Sequence, residues 1–206
     1  MQIFHFFNFS IFFFFISIAN AYWRPKNPWT TELSELLALH NAYRQAVKYG
    51  KVADQPPAVN MAHLQWCFKL ASLSRNWAMR CQSERSNMTM RQGASWKYVG
   101  QSVAVVSNVR NAVIQWFSEH NNYNFITNQC KEKKTCANYK QLVFSETTHV
   151  GCAYNKCGNF AAPNNTVVVC SYGPGGKYES QRPYREKTRR ETDYDDIILN
   201  IMQLLK

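Results

Sequence analysis

The chain has 206 residues, a formal net charge of +11 and seven cysteines. This length suffices for one ordinary domain with a hydrophobic core, and no apolar segment after residue 21 is long enough to cross a bilayer. The basic residues do not form a platform with interleaved aromatic residues, so the composition argues against nucleic acid as a partner.

Residues 1–21 have the pattern of a secretory signal peptide. They carry no Asp, Glu, Lys or Arg, and their phenylalanine-rich run leads to Ala19-Asn20-Ala21, a small-x-small site for signal peptidase. A membrane anchor is the alternative, but the run is shorter than the roughly 20 residues that a spanning helix needs. We therefore expect cleavage after Ala21 and a soluble, secreted mature protein. For such a basic protein, anionic glycans or a membrane surface are candidate partners.

Two helices are predicted in the first part of the mature chain. Thr30-Thr31-Glu32 can cap the first helix, whose apolar residues recur at helical spacing up to Gly50. Pro56-Pro57 then enforces an extended linker. A second helix fits Met61–Cys81. Its predicted buried face comprises Leu64, Cys67, Phe68, Ala71, Leu73, Trp77 and Ala78.

A third helix and a set of strands follow. The helix is predicted from Val109 to His120, and Tyr98–Val106 fits a short strand or the edge of a helix. Asn121–Thr135 is polar and basic and fits a long loop. Three further segments have strand patterns, namely Leu142–Phe144, Val150–Tyr154 and Val167–Tyr172. The last of them is rich in β-branched residues, which favours a central strand.

Helices followed by antiparallel strands predict an α+β layered domain, which we assign to residues 22–184. Residues 185–206 form a charged tail that is basic at first and then acidic. The tail ends in an apolar stretch, Ile197–Leu205, that can form a short amphipathic helix docked on the domain.

The cysteines predict disulfides rather than a metal site. In a secreted chain, seven cysteines favour a framework of bridges with one thiol left over. The chain has no C-x-x-C pair, and the spacings do not match a closed zinc site. Two sequons, at Asn87 and Asn164, are candidate N-glycosylation sites in exposed loops.

Six segments, in one order along the chain, match the signatures of a known family. They are His40-Asn41-Ala42-Tyr43-Arg44, Trp77-Ala78-Met79-Arg80-Cys81, Gly100-Gln101-Ser102-Val103, Trp116-Phe117-Ser118-Glu119, Asn138–Phe144 with Val150–Ala153, and Val169–Gly176. On these segments the chain resembles the CAP proteins from about Thr31 to Tyr184. This superfamily comprises cysteine-rich secretory proteins, insect antigen 5 and plant pathogenesis-related proteins. The resemblance is closest to the venom-allergen-like proteins of helminths.

The resemblance implies a three-layer α-β-α sandwich, with a small antiparallel sheet between helical layers. It also implies the disulfides, which pair Cys81 with Cys157, Cys152 with Cys170, and Cys130 with Cys136. Cys67 is then the free thiol. Its place on the predicted buried face of the second helix indicates a small core residue, and an intermolecular bridge is the alternative.

Most CAP domains have a cleft with a zinc-binding tetrad of two His and two Glu, and here the matching positions are altered. The motifs place Arg85, Gln101, Glu119 and Asn138 at these positions. Arginine cannot coordinate a metal, and the amides of Gln and Asn are weak zinc ligands. The resemblance therefore implies a degraded tetrad without a metal or another cofactor. A rebuilt metal site with His120 beside Glu119 is the alternative.

The one retained acid of this tetrad needs a partner if it is buried, because an isolated buried carboxylate is costly. We hypothesise that Arg85 takes the place of the cation and pairs with Glu119, while Gln101 and Asn138 supply hydrogen bonds. The alternative is that Arg85 points into solvent.

The sequence is compatible with two functions and argues against a third. The first is lipid carriage, because CAP relatives bind sterols through an aromatic loop or fatty acids between helices. The matching loop offers Tyr123 and Phe125 as lipid contacts. The second is an extracellular interaction protein that acts on a protein receptor without a lipid ligand. An enzyme is not expected, because no Ser or Cys nucleophile with a positioned His emerges and the tetrad is broken.

Overall fold

The computed structural model describes residues 30–91, 95–158, 165–176 and 181–205. The signal peptide predicted for residues 1–21 and the sequon at Asn164 lie outside these residues. The helices are α1 (Thr31–Lys48), α2 (Phe68–Ala78), α3 (Val109–Ser118), α4 (Ala137–Leu142) and α5 (Arg189–Leu204). The strands are β1 (Gln65–Trp66), β2 (Gly100–Val106), β3 (Tyr123–Asn124), β4 (Gln129–Cys130), β5 (His149–Lys156) and β6 (Thr166–Gly173). None of the described helices combines the length and the apolar character needed to span a membrane.

A four-stranded sheet in the order β1-β5-β6-β2 forms the middle layer. Strand β6 is antiparallel to both of its neighbours, and it is buried along its whole length. On one face, Val167 and Val169 pack with Ala78 of α2. On the other face, Val168 and Tyr172 belong to a core that includes side chains of α1 and α3. The α-β-α sandwich is thus confirmed, and burial of both faces explains why β6 is a continuous apolar run.

Helix α1 confirms the first predicted helix and contributes an unusual buried cation. Its side chains at i, i+4, i+8 and i+11 are buried, namely Leu36, His40, Arg44 and Val47. The Arg44 guanidinium donates hydrogen bonds to four backbone carbonyls, those of Ala62, Leu142, Phe144 and Thr147, at 2.8–3.3 Å. A buried cation is stable only when its N–H groups are satisfied, so Arg44 ties the loop regions around α4 to α1.

Helix α2 begins later than predicted, and its buried face is different. The segment before it pairs with β5 as strand β1, and α2 then starts at Phe68. Phe68 is 56% exposed, and the buried side chains are Leu70, Ser74 and Ala78. The predicted buried face was therefore right at Leu64 and Ala78 and wrong at Phe68, and its other members are half-buried. Ser74 is in contact with the sheet, because its hydroxyl donates to the Gly151 carbonyl at 2.7 Å and accepts from the Ser171 hydroxyl at 2.9 Å.

Three other segments agree only in part with the predicted secondary structure. Tyr98–Val106 contains a strand, β2, and the third helix ends at Ser118 and continues as a 3₁₀ turn, Glu119–Asn122. Leu142–Phe144 is not a strand, because it lies at the end of helix α4. Its apolar side chains are buried all the same, so a short apolar run indicated burial correctly but not the type of element.

The disulfide pairing implied by the resemblance is confirmed for all three bridges: Cys81–Cys157, Cys130–Cys136 and Cys152–Cys170. Cys67 is the free thiol. It lies at the N-terminal cap of α2 and is half-buried, so the expectation of a small core residue was wrong. The backbone N–H of Cys67 bonds to the Val150 carbonyl at 2.9 Å.

The tail contains the expected amphipathic helix, which is longer than predicted. It runs from Arg189 to Leu204 and starts with a capping box between Thr188 and Glu191. The expectation that its apolar side docks on the domain was wrong, because Ile197, Ile201 and Leu205 are all exposed.

The close approach of α2 to the sheet at Gly151 gives a test of the sandwich. A Cβ at this position would overlap the backbone of Cys67, Leu70 and Ala71, which cannot move without displacing α2. Replacing Gly151→Ala should therefore lower the free energy of unfolding by about 1–3 kcal/mol, as measured by chemical denaturation. Gly158→Ala is the matched control, because a Cβ there would meet nothing within 4 Å. Equal stability of the two variants would contradict this packing.

Candidate functional site

The Glu119 carboxylate is the centre of the candidate site. Glu119 follows α3 in the 3₁₀ turn and is 7% exposed. Its Oε2 atom accepts the backbone N–H groups of Asn138 at 2.8 Å and Tyr139 at 3.1 Å, at the start of α4. Its Oε1 atom accepts the Asn138 side-chain amide at 2.7 Å. Three hydrogen bonds therefore satisfy the acid, and two of them use N–H groups that a helix start leaves without partners.

Arg85 reaches this acid through an intermediate residue. Its Nη2 atom donates to Oδ1 of Asn138 at 2.6 Å, while the amide of Asn138 donates to Glu119. Among the described residues, the ion pairs within 4.0 Å are Arg110–Glu35 and Arg185–Glu191. The hypothesised direct pair of Arg85 and Glu119 was therefore wrong. Arg85 is exposed, and Asn138 links it to Glu119 in the hydrogen-bonded chain Arg85–Asn138–Glu119.

Gln101 does not contact Glu119 and instead holds the loop that carries Arg85. Gln101 lies on β2 and is 2% exposed. Its Oε1 atom accepts the backbone N–H of Ser86 at 2.8 Å and the Ser86 hydroxyl at 3.0 Å. Gln101, which the resemblance places at a metal-ligand position, thus holds Ser86, the residue after Arg85, against the sheet.

A buried histidine and tyrosine lie beneath these groups. Burial raises the pKa of Tyr172 well above its ordinary value. The charge of Arg85 lowers this pKa in part, and the charge of Glu119 raises it. Tyr172 lies 2.9 Å from Nε2 of His40, whose Nδ1 lies 2.6 Å from the Leu36 carbonyl. Because a carbonyl only accepts, Nδ1 carries the proton and Nε2 accepts from Tyr172. Burial lowers the pKa of His40 to about 4, so the ring is neutral at physiological pH.

The histidines that the structure describes do not assemble into a metal centre. His120 follows Glu119, but its Nδ1 atom faces the Phe117 carbonyl at 2.8 Å and its ring packs against Phe117 and Tyr139. It is half-buried, whereas His63 is exposed. Within the described part of the chain, no group of three or more His, Cys, Asp or Glu side chains is placed to hold a metal ion.

The aromatic pair that the sequence offered as lipid contacts points into the domain. Tyr123 and Phe125 are 4% and 5% exposed and belong to the hydrophobic core. As surface contacts for a lipid these two side chains were therefore predicted wrongly, because their rings pack against Tyr139 and Tyr184. The exposed apolar side chain of the loop is Ile126, at 82%.

Two open clefts flank Ile126. One measures about 840 Å³ and the other about 770 Å³, and both are lined by Phe125 and Ile126. Lys131 and His120 line the first cleft, and Arg182 lines the second. Arg182 also fixes the loop, because it donates to the carbonyls of Phe125 at 2.9 Å and Ile126 at 2.6 Å.

Gln55 is a structural residue of this region that the sequence did not indicate. Its amide donates to the Tyr123 carbonyl at 3.1 Å, and its Oε1 atom accepts the Tyr139 hydroxyl at 3.0 Å. It is 5% exposed and joins the linker before Pro56 to the loop and to α4. Nothing in the sequence pattern distinguishes it from an exposed linker glutamine.

The exposed Asn87 remains a predicted glycosylation site.

The buried His40 predicts acid lability. The unfolded ring, with an ordinary pKa of 6.5, binds a proton at a higher pH than the folded ring, whose pKa is about 4. Since the unfolded state binds more protons in this window, stability falls as pH falls from about 6.5 to about 4, by roughly 3 kcal/mol in total.

This contribution can be isolated by chemical denaturation across that pH range. His40→Gln should lack this part of the pH dependence, while the control His63→Gln, at an exposed histidine, should keep it. A pH profile that His40→Gln leaves unchanged would contradict the assignment.

The chain is similar to proteins of a known family. The family model "CAP: Cysteine-rich secretory protein family" matches residues 37–172. GLIPR1-like protein 1 of Bos taurus is 30% identical over 174 residues, which cover 80% of this chain and 68% of that protein. A pathogenesis-related protein of PR-1 type from Sambucus nigra is 34% identical over 149 residues, which cover 70% of this chain and 77% of that protein.

The fold agrees with these matches. The solved structure of Schistosoma mansoni venom allergen-like protein 4 aligns with a TM-score of 0.71 at 32% identity, covering 79% of this chain and 99% of that chain. The family match includes the positions of Arg85, Gln101, Glu119 and Asn138 and ends before α5. The chain belongs to the cysteine-rich secretory protein (CAP) family, and its structural neighbours include helminth venom allergen-like proteins.

Proposed function

We propose that the protein is a secreted, non-catalytic CAP protein that binds a lipid, a sterol or a fatty acid, outside the cell. The observation that carries the non-catalytic part of this proposal is the bonding of Glu119. Both oxygens of this acid, the one retained at the tetrad positions, accept hydrogen bonds from the start of α4 or from the Asn138 side chain. The cleft therefore offers no open acid–base group for a reaction.

The residues of this cleft do not fit the metal that the family resemblance implies. Arg85 is a fixed cation and cannot be a ligand. The side-chain oxygens of Gln101 and Asn138 already accept hydrogen bonds, from Ser86 and Arg85 respectively. Glu119 alone cannot form a tetrahedral site. No step of the proposed function therefore involves a metal.

The remaining candidates for catalysis are also engaged in structure. His40 is buried and has both ring nitrogens paired, with Leu36 and Tyr172. The free thiol of Cys67 lies at the start of α2, and Nδ1 of His149, on the neighbouring strand, is 2.8 Å from the Thr148 hydroxyl. Neither arrangement supplies a nucleophile with a positioned base.

The two clefts beside Ile126 support lipid binding. Their volumes lie in the range of small-molecule sites, roughly 300–1,000 Å³. Both combine the apolar Phe125 and Ile126 with charged side chains of both signs, which suits an amphipathic ligand with a polar end. The loop is held by the Cys130–Cys136 bridge and by Arg182, so Ile126 is presented without a further ordering cost.

Secretion is supported by the three disulfides, which persist in oxidising compartments, and by the signal-peptide pattern of residues 1–21. The alternative function is an effect on a protein receptor without a lipid. That function would use the same exposed surface, so the lipid assay separates the two.

Saturable binding of labelled cholesterol or palmitate to the purified protein tests the proposal. Ile126→Asp should weaken binding by about tenfold or more, because a buried isoleucine contributes roughly 1.5–3 kcal/mol. Ile114→Asp is the matched control, since Ile114 is an exposed isoleucine on α3 that lines neither cleft. Absence of saturable binding of both lipids would overturn the proposal and favour a protein partner.

A further inference from the structure

Helix α5 presents a continuous apolar arc to the outside. Seven large apolar side chains in this region are between 38% and 86% exposed, namely Tyr194, Ile197, Ile198, Ile201, Met202, Leu204 and Leu205. At 3.6 residues per turn, all seven fall within an arc of about 160°. Exposed apolar patches beyond a few hundred Å² are rare on monomers and mark sites of interaction. We therefore expect the arc to contact a binding partner.

The root of this helix is fixed on the domain although the arc is not covered. The Val59 N–H donates to the Arg185 carbonyl at 2.9 Å, and the Lys187 N–H donates to the Pro57 carbonyl at 2.8 Å. Thr188 and Glu191 then close the capping box that starts the helix. The direction in which α5 leaves the domain is thus set by backbone hydrogen bonds.

A cationic groove of about 720 Å³ lies at this root. It is lined by Lys48, Lys187 and Arg190, together with the apolar Val59 and Tyr194 of the arc. The ammonium groups of the two lysines lie 5.4 and 5.6 Å from the ring centroid of Tyr49, so they are gathered around one exposed ring. Positive charge and apolar surface therefore meet at the base of α5.

The acid in this groove is bonded to Arg185 and Thr188. Glu191 lines the groove, but its two carboxylate oxygens accept from Arg185 at 2.8 and 3.2 Å and from Thr188 at 2.8 and 2.9 Å. At 3.6 residues per turn Glu191 falls within the arc, but its carboxylate is paired with Arg185 at 2.8 Å. Asp193 is exposed and falls just outside the arc.

We propose that α5 docks the protein on a lipid membrane, with the apolar arc in the interfacial region and Lys48, Lys187 and Arg190 on anionic headgroups. An amphipathic helix of this kind lies in the plane of the interface, and nearby cations strengthen its binding to anionic lipid. A second copy of the chain is a poorer occupant, because it would bring two cationic roots and two strongly basic domains together. This inference goes beyond the proposed lipid ligand and concerns a different surface from Ile126.

Vesicle sedimentation of the full-length mature protein tests the docking. Vesicles of phosphatidylcholine with roughly one-third phosphatidylserine should bind it about tenfold more strongly than vesicles of phosphatidylcholine alone. Replacing Ile197→Asp together with Ile201→Asp should reduce binding at least about tenfold. The matched control is Asn200→Asp with Gln203→Asp, which adds the same charge to the same helix outside the arc and should keep binding.

The cationic groove is tested separately. Lys48→Gln with Arg190→Gln should remove the preference for phosphatidylserine, while Lys69→Gln with Arg75→Gln, at exposed positions on α2, should keep it. Thermal unfolding of each variant confirms that it is folded. Binding of cholesterol or palmitate should not change in the Ile197 and Ile201 variant, so loss of docking and loss of the lipid ligand are distinguishable.

Three results would overturn the proposal. The first is that the protein sediments with neither kind of vesicle. The second is that the Ile197 and Ile201 variant binds as well as the unaltered protein. The third is a concentration-dependent dimer in solution that this variant abolishes, because a second copy would then cover the arc.

Discussion

The hydrogen bonds around the Glu119 carboxylate hold the candidate site together. They join the end of α3 to the start of α4 and, through Asn138, to the loop that carries Arg85. A carboxylate so little exposed would be costly without partners, and here both of its oxygens have them. The same bonds remove the acid from other work. A group that caps a helix and accepts an amide has little capacity left for a metal or for a proton in transit.

The framework of the fold could be predicted from the sequence, because its signals are local or covalent. Helix α1 and the central strand β6 agree with the predictions, since their residue patterns are local. The three disulfides agree with the pairing that the family resemblance implied. Details that depend on a neighbour were wrong. Phe68 is exposed because pairing of β1 with β5 delays the start of α2. Leu142–Phe144 has the composition of a strand, yet the N-terminal cap supplied by Glu119 lets it end a helix.

The candidate site was predicted in its members but not in its geometry. The four tetrad positions could be read from motifs, whereas the partner of each side chain could not. Arg85 bonds to Asn138, and Gln101 bonds to Ser86, because loop conformation decides which polar group is within 3 Å. Tyr123 and Phe125 illustrate the same limit, since an aromatic pair in a polar loop is compatible with either surface or core. The packing of Phe125 on Tyr184, far along the chain, decides for the core.

We propose that this cleft is closed by its own hydrogen bonds and does not bind a transition metal. Zinc titration of the purified protein by isothermal calorimetry tests this claim most directly. The unaltered protein should show no stoichiometric binding, and a variant with Arg85→His, Gln101→Glu and Asn138→His should bind at least about tenfold more tightly. One tightly bound zinc ion in the unaltered protein, lost on Glu119→Gln, would contradict the account.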